Sequence, residues 1–211
     1  MARPRTDIGP RILVAARKRF RKSGVEGATL RAIARDVGTS IGMIYYYYPT
    51  KDELFFAVVE ETYQKILADL ERLLTPETPV RQRLLCIFER IAAVSDQEVE
   101  ILRLVAQEGL LSTTRFERLV ERFLRGHVPL VLKTLLDGIE GGVLDRRRHP
   151  IVLLLATFGL AGPPQLIRRA VGERLPVPGA PSGKVLAEEL CDVLLNGIAP
   201  PTKPTPVNRG S

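Results

Sequence analysis

Apolar side chains recur at three- and four-residue spacing along most of the chain, as in helices that bury one face. No stretch alternates in the β-branched manner of a half-buried strand, so the expected fold class is all-α. Ile12, Leu13, Ala16 and Phe20 mark an amphipathic helix from Ile8 that closes near Ser23-Gly24. Thr29 is positioned to cap a second, short helix carrying Leu30, Ile33, Ala34 and Val37, with Gly38 as its stop. Ser40 then caps a third, Ile41 to Tyr47, ended by Pro49. Thr50 with Glu53 three residues later reads as a capping box at the head of a long helix whose apolar stripe runs from Leu54 to Leu74.

Further along, Thr78-Pro79 opens a helix through Leu84 and Phe88, and Asp96 is the expected cap of another with Val99, Leu102 and Val105. One long helix is expected from Arg115 to Ile139, then a break at Gly141-Gly142. His149-Pro150 opens the apolar run Ile151 to Gly162, which is too short by itself to span a bilayer, so no membrane segment is expected. A Pro/Gly-rich loop from Leu175 to Gly183 precedes a last helix, Lys184 to Ile198. The Pro-rich tail 199–211 and the basic arm 1–7 both lack the apolar content of a packed element.

Charge divides this helical chain in two. Residues 1–51 hold eleven Lys/Arg against Asp7, Glu26 and Asp36, a surplus of +8, whereas residues 52–211 hold twenty against 21, a balance of −1. A surplus confined to one short segment points to a polyanion bound there, and nucleic acid fits better than a membrane surface because the first helix has a modest apolar face and no Trp. The two cysteines, Cys86 and Cys191, each sit in an apolar helical pattern and read as buried thiols rather than redox sensors. With no secretory signal in view, the expected location is the cytoplasm. Neither a Cys/His cluster at metal spacing, a phosphate-binding glycine loop nor a nucleophile with its base is visible. No metal, cofactor or catalytic residue is therefore expected, and the chain does not read as an enzyme.

Two short helices joined at Gly38-Thr39 make a helix-turn-helix, which sets one helix in the major groove and lays the other across the backbone. Thr29 and Ser40 head these helices where N–H groups meet phosphate, Gly42 lets the backbone approach base edges, and Ile41 and Met43 are expected to be exposed toward thymine methyls. Successive residues turn by about 100° on a helix, so Tyr45, Tyr46, Tyr47 and Tyr48 cannot share a face. Tyr45 and Tyr46 are expected to offer hydroxyls to phosphate, Tyr47 partly so, and Tyr48 to pack inward. Lys51 adds a cation at the next helix start. Phe20, Gly24, Thr29, Arg31, Ile33-Ala34, Gly38, Ser40, Gly42, Tyr45, Tyr47 and Lys51 together resemble the N-terminal domain of the TetR family of repressors over about residues 8–60. Thr39 and Tyr48 stand where that family commonly has valine and phenylalanine. The resemblance implies phosphate or groove contacts by Thr29, Arg31, Ser40, Tyr45, Tyr46, Tyr47 and Lys51, with base reading by Ile41, Gly42 and Met43.

It also implies an organisation. A three-helix helix-turn-helix DNA-binding domain at 1–50 would be followed at 51–198 by a larger helical domain that binds an effector and dimerises, and 199–211 would form a disordered tail. The homodimer would pack helices near 151–170 and 184–198 into a four-helix bundle, giving two half-sites on double-stranded DNA and a near-palindromic operator. The effector cavity would draw on Tyr63, Phe88, Leu104, Phe116, Phe123, His127 and Phe158, a lining that suits a small, largely hydrophobic molecule, although every one of these also reads as an ordinary core residue. Repression relieved by that effector is the implied activity. The alternative is a helical adaptor whose basic start binds nucleic acid without reading sequence.

Overall fold

The computed structural model describes residues 8–171 and 179–197. The expected arm 1–7, residues 175–178 of the Pro/Gly loop and the tail lie outside the described residues. Eleven helices occur among the described residues, and no strand. The first three are α1 (Ile8–Gly27), α2 (Leu30–Val37) and α3 (Ile41–Tyr47). Gly24, at φ 67° and ψ 175°, breaks α1 where the sequence placed its end. Thr29 accepts a hydrogen bond from the Ala32 N–H and Ser40 accepts one from the Met43 N–H, so both expected caps form. Gly38 closes α2 in the left-handed conformation at φ 70°, a geometry that costs little only without a Cβ.

The long helix α4 (Lys51–Leu73) begins on Thr50, which accepts from the Glu53 N–H at 3.1 Å. The complete reciprocal box forms elsewhere, at α6 (Asp96–Leu111), and its cap is Ser95 rather than the expected Asp96. The Glu98 N–H donates to the Ser95 hydroxyl and the Ser95 N–H donates to the Glu98 carboxylate at 2.7 Å. The buried face of α6 is likewise shifted from the expected Leu102 and Val105 to Ile101, Leu104 and Glu108.

Between these lies α5 (Val80–Ala92). After them the single helix expected from Arg115 to Ile139 is two, α7 (Thr113–Leu124) and α8 (His127–Glu140). The break falls at Gly126, which takes φ −112° and ψ −109°, and a Cβ there would collide with the Tyr63 hydroxyl, so glycine lets α4 approach the corner. The last helices among the described residues are α9 (Pro150–Ala161), α10 (Pro163–Val171) and α11 (Gly183–Asn196).

Two hydrophobic clusters form the interior. One gathers α1 to α3 with Leu54, Phe55, Val58 and Val59 of α4, together with Ile101 and Leu104 of α6 and Leu119 of α7. The other gathers Ile66 and Leu70 of α4 with α5, α8, α9 and α11. Helix α4 is therefore half in each. Phe55 is fully buried, 6.3 Å from Phe20 edge to face, with the Arg115 guanidinium 6.0 Å above its ring. Replacing it with alanine leaves a cavity where the first three helices meet the rest. Phe55→Ala should therefore cost about 3–5 kcal/mol in urea unfolding, and a loss under about 1 kcal/mol would show that this ring does not hold the two parts together.

Candidate nucleic-acid interface

Helices α2 and α3 meet at the Gly38-Thr39 turn and leave between them a groove lined by Thr29, Arg31, Ala34, Arg35, Thr39 and Ile41. Thr29, Arg31, Ser40 and Gly42 are exposed along it. Each capping hydroxyl spends an oxygen lone pair on the helix, which leaves its own O–H free to donate outward. A Cβ at Gly42 would meet only the Ser40 hydroxyl, at 3.8 Å, so the protein's own packing does not require glycine there. The space is open for something else to approach.

The tyrosine run splits as the helical phase demands. Tyr45 and Tyr46 are 52% and 79% exposed, Tyr47 is 38% exposed with its ring near Gly9, and Tyr48 turns in against the first cluster. Burial pushes the Tyr48 hydroxyl above its ordinary pKa, so it stays protonated. Ile41 and Met43 depart from the expectation of full exposure. Both are half-buried, and Ile41 leans on the core, because a seven-residue helix packed through Ile44 tucks in its flanks as well.

Much of the N-terminal positive charge is already engaged. Arg17 pairs with Glu61 at 2.5 Å, Arg19 with Asp36 at 2.6 Å and Arg21 with Glu100 at 2.5 Å, while Arg11 donates to the Val37 carbonyl. Among the described residues, Lys18, Lys22, Arg31 and Arg35 make no ion pair, and the two arginines face the α2–α3 groove. Arg35 was missed in the sequence, although it lies four residues after Arg31 and shares its face. Lys51 is partly engaged: its Nζ lies 3.2 Å from both the Glu26 carboxylate and the Glu26 carbonyl.

Of the seven residues expected to line an effector cavity, four converge. Tyr63 of α4, Phe123 of α7, His127 of α8 and Phe158 of α9 stack ring against ring at 5.1–5.7 Å. Rings so close leave no gap between them, so a molecule entering there must part them. Phe88 and Leu104 are buried in different clusters, and Phe116 is 50% exposed. Phe116 fails because its neighbour Arg115 and Leu119 take the inward face of α7, turning residue 116 out.

The Tyr63 hydroxyl accepts the His127 backbone N–H at 3.0 Å and shares a hydrogen bond with Nδ1 at 2.9 Å. Burial, aided by the Arg122 charge, lowers the His127 pKa from 6.5 to about 4, so the ring is neutral at pH 7.

On the far side, Ile151, Val152 and Leu155 of α9 are 48%, 53% and 63% exposed. Of these, Val152 lines a groove of about 470 Å³ together with Ala156 and Leu160 of α9 and Val193 and Leu194 of α11. Only Gly162 separates α9 from α10, and together they make a stretch of 22 residues long and apolar enough to cross a membrane. The apolar run is thus longer than its sequence limit at Gly162 suggested. Its inner side is packed within this chain, through Leu153, Leu154 and Ala161. Polar bonds anchor α10: buried Gln165 donates to the Gly183 carbonyl at 2.9 Å, and Arg169 reaches Asp96 and the Val94 carbonyl.

Residues 12–58 match the family model described as bacterial regulatory proteins, tetR family. The repressor AcnR of Corynebacterium diphtheriae is 42% identical over 50 residues, 24% of this chain and 26% of that protein. The repressor Rv1474c of Mycobacterium tuberculosis is 36% identical over 61 residues, 29% of this chain and 33% of that one. The matched stretch thus spans about a quarter to a third of these relatives. Beyond it the likeness is one of fold. The transcriptional regulator FadR of Bacillus subtilis, solved in complex with stearoyl-CoA, superposes with a TM-score of 0.72 at 17% identity over 90% of this chain and 99% of its own.

The neutral His127 makes stability pH-dependent. Its folded pKa lies below the unfolded value, so as pH falls the unfolded chain takes up the proton first. Folding should lose on the order of 3 kcal/mol between about pH 6.5 and pH 4. Urea unfolding across that range should show the loss, and His127→Asn should remove most of it. An unchanged profile in the variant would place the proton uptake elsewhere.

Proposed function

Residues 12–58 are a TetR-family helix-turn-helix, and from that premise we propose that the protein is a dimeric, sequence-specific DNA-binding regulator. It acts as a repressor, released from a near-palindromic operator by a small, largely hydrophobic effector. The observation that carries this reading is the α2–α3 face. Unpaired arginines, two outward hydroxyls and a glycine that internal packing does not require lie together beside three solvent-facing tyrosines. Thr29, Arg31, Arg35, Ser40, Tyr45, Tyr46, Tyr47 and Lys51 hold phosphates, while Gly42, Met43 and the exposed part of Ile41 read base edges. The repressors named above support the reading through this same segment.

Residues 1–50 serve as the DNA-binding unit and 51–198 as the effector-binding and dimerising one. One short recognition helix covers little DNA, and a second half-site about 34 Å away supplies the missing contact. The apolar outer faces of α9 and α11 supply the dimer interface, since a patch of this kind on a helix pair is the usual mark of self-association. The Tyr63–Phe123–His127–Phe158 cluster is where the effector parts the helices. The acyl chain of stearoyl-CoA in the FadR structure makes long-chain acyl groups the first class to try, with the hydrophobic chain as the part that enters the ring cluster.

Selection from a random duplex pool at physiological salt should enrich a near-palindrome, and the enriched duplex should be released by a long-chain acyl-CoA. Tyr46→Phe should weaken all duplexes alike, by about threefold, whereas Met43→Ala should change which bases are preferred. Recovery of no motif, with binding lost steeply in salt, would favour the non-specific helical adaptor instead.

A charge on the dimer face gives a separate check. Leu155→Asp alters a residue that is 63% exposed in the single chain, so the helices should remain folded by circular dichroism while sedimentation shows a monomer and operator affinity falls at least tenfold. A variant that stays dimeric would place the interface elsewhere.

A further inference from the structure

Arg115 sits at the first turn of α7, only 6% exposed, and joins four segments. Its Nη1 donates to Glu108 of α6 at 2.7 Å, its Nε and Nη2 donate to Asp52 of α4 at 2.9 and 2.7 Å, and Nη2 also reaches Glu26 at the end of α1 at 2.6 Å. Glu108, 1% exposed, turns its other oxygen to the Val25 N–H at 3.4 Å. Glu26 is shared: Oε1 takes Arg115, and Oε2 lies 3.2 Å from Lys51 Nζ. The Glu26 side chain is 74% exposed, so its charge faces solvent beside Lys51.

We propose that Glu26 competes with DNA phosphate for Lys51, and that Arg115 is the positioning residue that holds this competitor in check from α7. The proposal rests on the reading of Lys51 as a phosphate contact. While Arg115 bonds Glu26 and Asp52, the two carboxylates are largely satisfied, so the 3.2 Å contact of Lys51 with Glu26 is the weaker one and phosphate can displace it. Withdrawal of Arg115 leaves Asp52 without this partner and Glu26 with Lys51 alone. The two carboxylates then hold Lys51 back and repel the DNA backbone.

The geometry gives α7 this control because Phe123, in the ring cluster, lies two turns along the same helix. A displacement of α7 by a molecule entering that cluster thus reaches Arg115 without any other element having to move. The electrostatics agree: hydrogen bonds from Arg115 first, then from Lys51, hold the Glu26 carboxyl below the usual range. Burial works against the Arg115 cation, yet its three carboxylate partners raise its pKa all the same.

The test uses the full chain and the duplex that the wild-type protein selects, with affinity read at two salt concentrations and thermal unfolding read alongside. Arg115→Gln should bind about five- to tenfold more weakly and unfold at a lower temperature. Adding Glu26→Gln should restore affinity to within about twofold of the single Glu26→Gln variant without restoring the unfolding temperature, because the competitor is gone although the hub is not. A double variant that stays as weak as Arg115→Gln would make Arg115 a structural residue only and overturn the proposal.

Should Arg115→Gln not fold, Glu26→Gln alone decides. It should tighten binding two- to threefold, a gain that disappears in Lys51→Ala/Glu26→Gln, and no gain would overturn the proposal equally. A wild-type protein that selects no duplex would instead refute the DNA-binding reading, which separates the two failures.

Discussion

One helix has to serve two interiors. The first half of α4 packs Leu54, Phe55, Val58 and Val59 into the cluster that holds the helix-turn-helix, and its second half packs Ile66 and Leu70 into the cluster built by α5, α8, α9 and α11. A helix is stiff over this length because every interior N–H is bonded along its axis. Whatever shifts one half of α4 therefore tilts the other. Helices α6 and α7 reinforce the tie by sending Ile101, Leu104 and Leu119 into the first cluster from beyond the chain's N-terminal quarter. Helix α3 is thus braced by the part of the molecule that carries the ring cluster, and the two do not behave as beads on a string.

Charge refines this picture. The N-terminal surplus of +8 drew attention to the segment, but most of its arginines on α1 have acidic partners on α2, α4 and α6. Those bonds fix α1 against its neighbours, and exposed pairs of this kind contribute little stability each. The cations left over are fewer and better placed, since Arg31 and Arg35 lie on one face of α2 beside the groove to α3. Net charge pointed to the proposed interface, and pairing narrows which of its cations are free to form it.

The helix-turn-helix was legible in the sequence because its boundaries are written in local chemistry: Thr29 and Ser40 as caps, Gly38 as a left-handed stop, and a tyrosine run whose phase alone separates Tyr46 from Tyr48. Local rules failed where the deciding contact is distant in sequence. Gly126 ends α7 because Tyr63, 63 residues earlier, occupies the space a Cβ would need, and nothing near Gly126 announces it. Ser95 and Asp96 are both good caps, and tertiary packing of Glu98 against Arg90 favours the first. Four of the seven expected cavity residues come together because they lie on inward faces. Phe116 does not, because its helix gives that face to Arg115 and Leu119. The Arg115 hub was invisible for the same reason: its partners come from positions 26, 52 and 108, and no spacing rule links them.

The helix pair α9 and α10 shows how context settles what composition leaves open. Its 22 residues satisfy the length and apolarity of a membrane span. Yet Gln165, Arg168 and Arg169 are bound into the protein through Gly183, Asp96 and one another, and Leu153, Leu154 and Ala161 face α8 and α11. In lipid, those polar groups would have no reason to cluster on one side, and the opposite side would carry the packing of small residues by which membrane helices associate. Instead the outer side is large and aliphatic, Ile151, Val152 and Leu155, next to the groove along α11. A surface apolar enough to want burial, but too firmly anchored behind to leave its own fold, is best covered by another protein surface of the same shape. The dimer proposed above would provide one by symmetry.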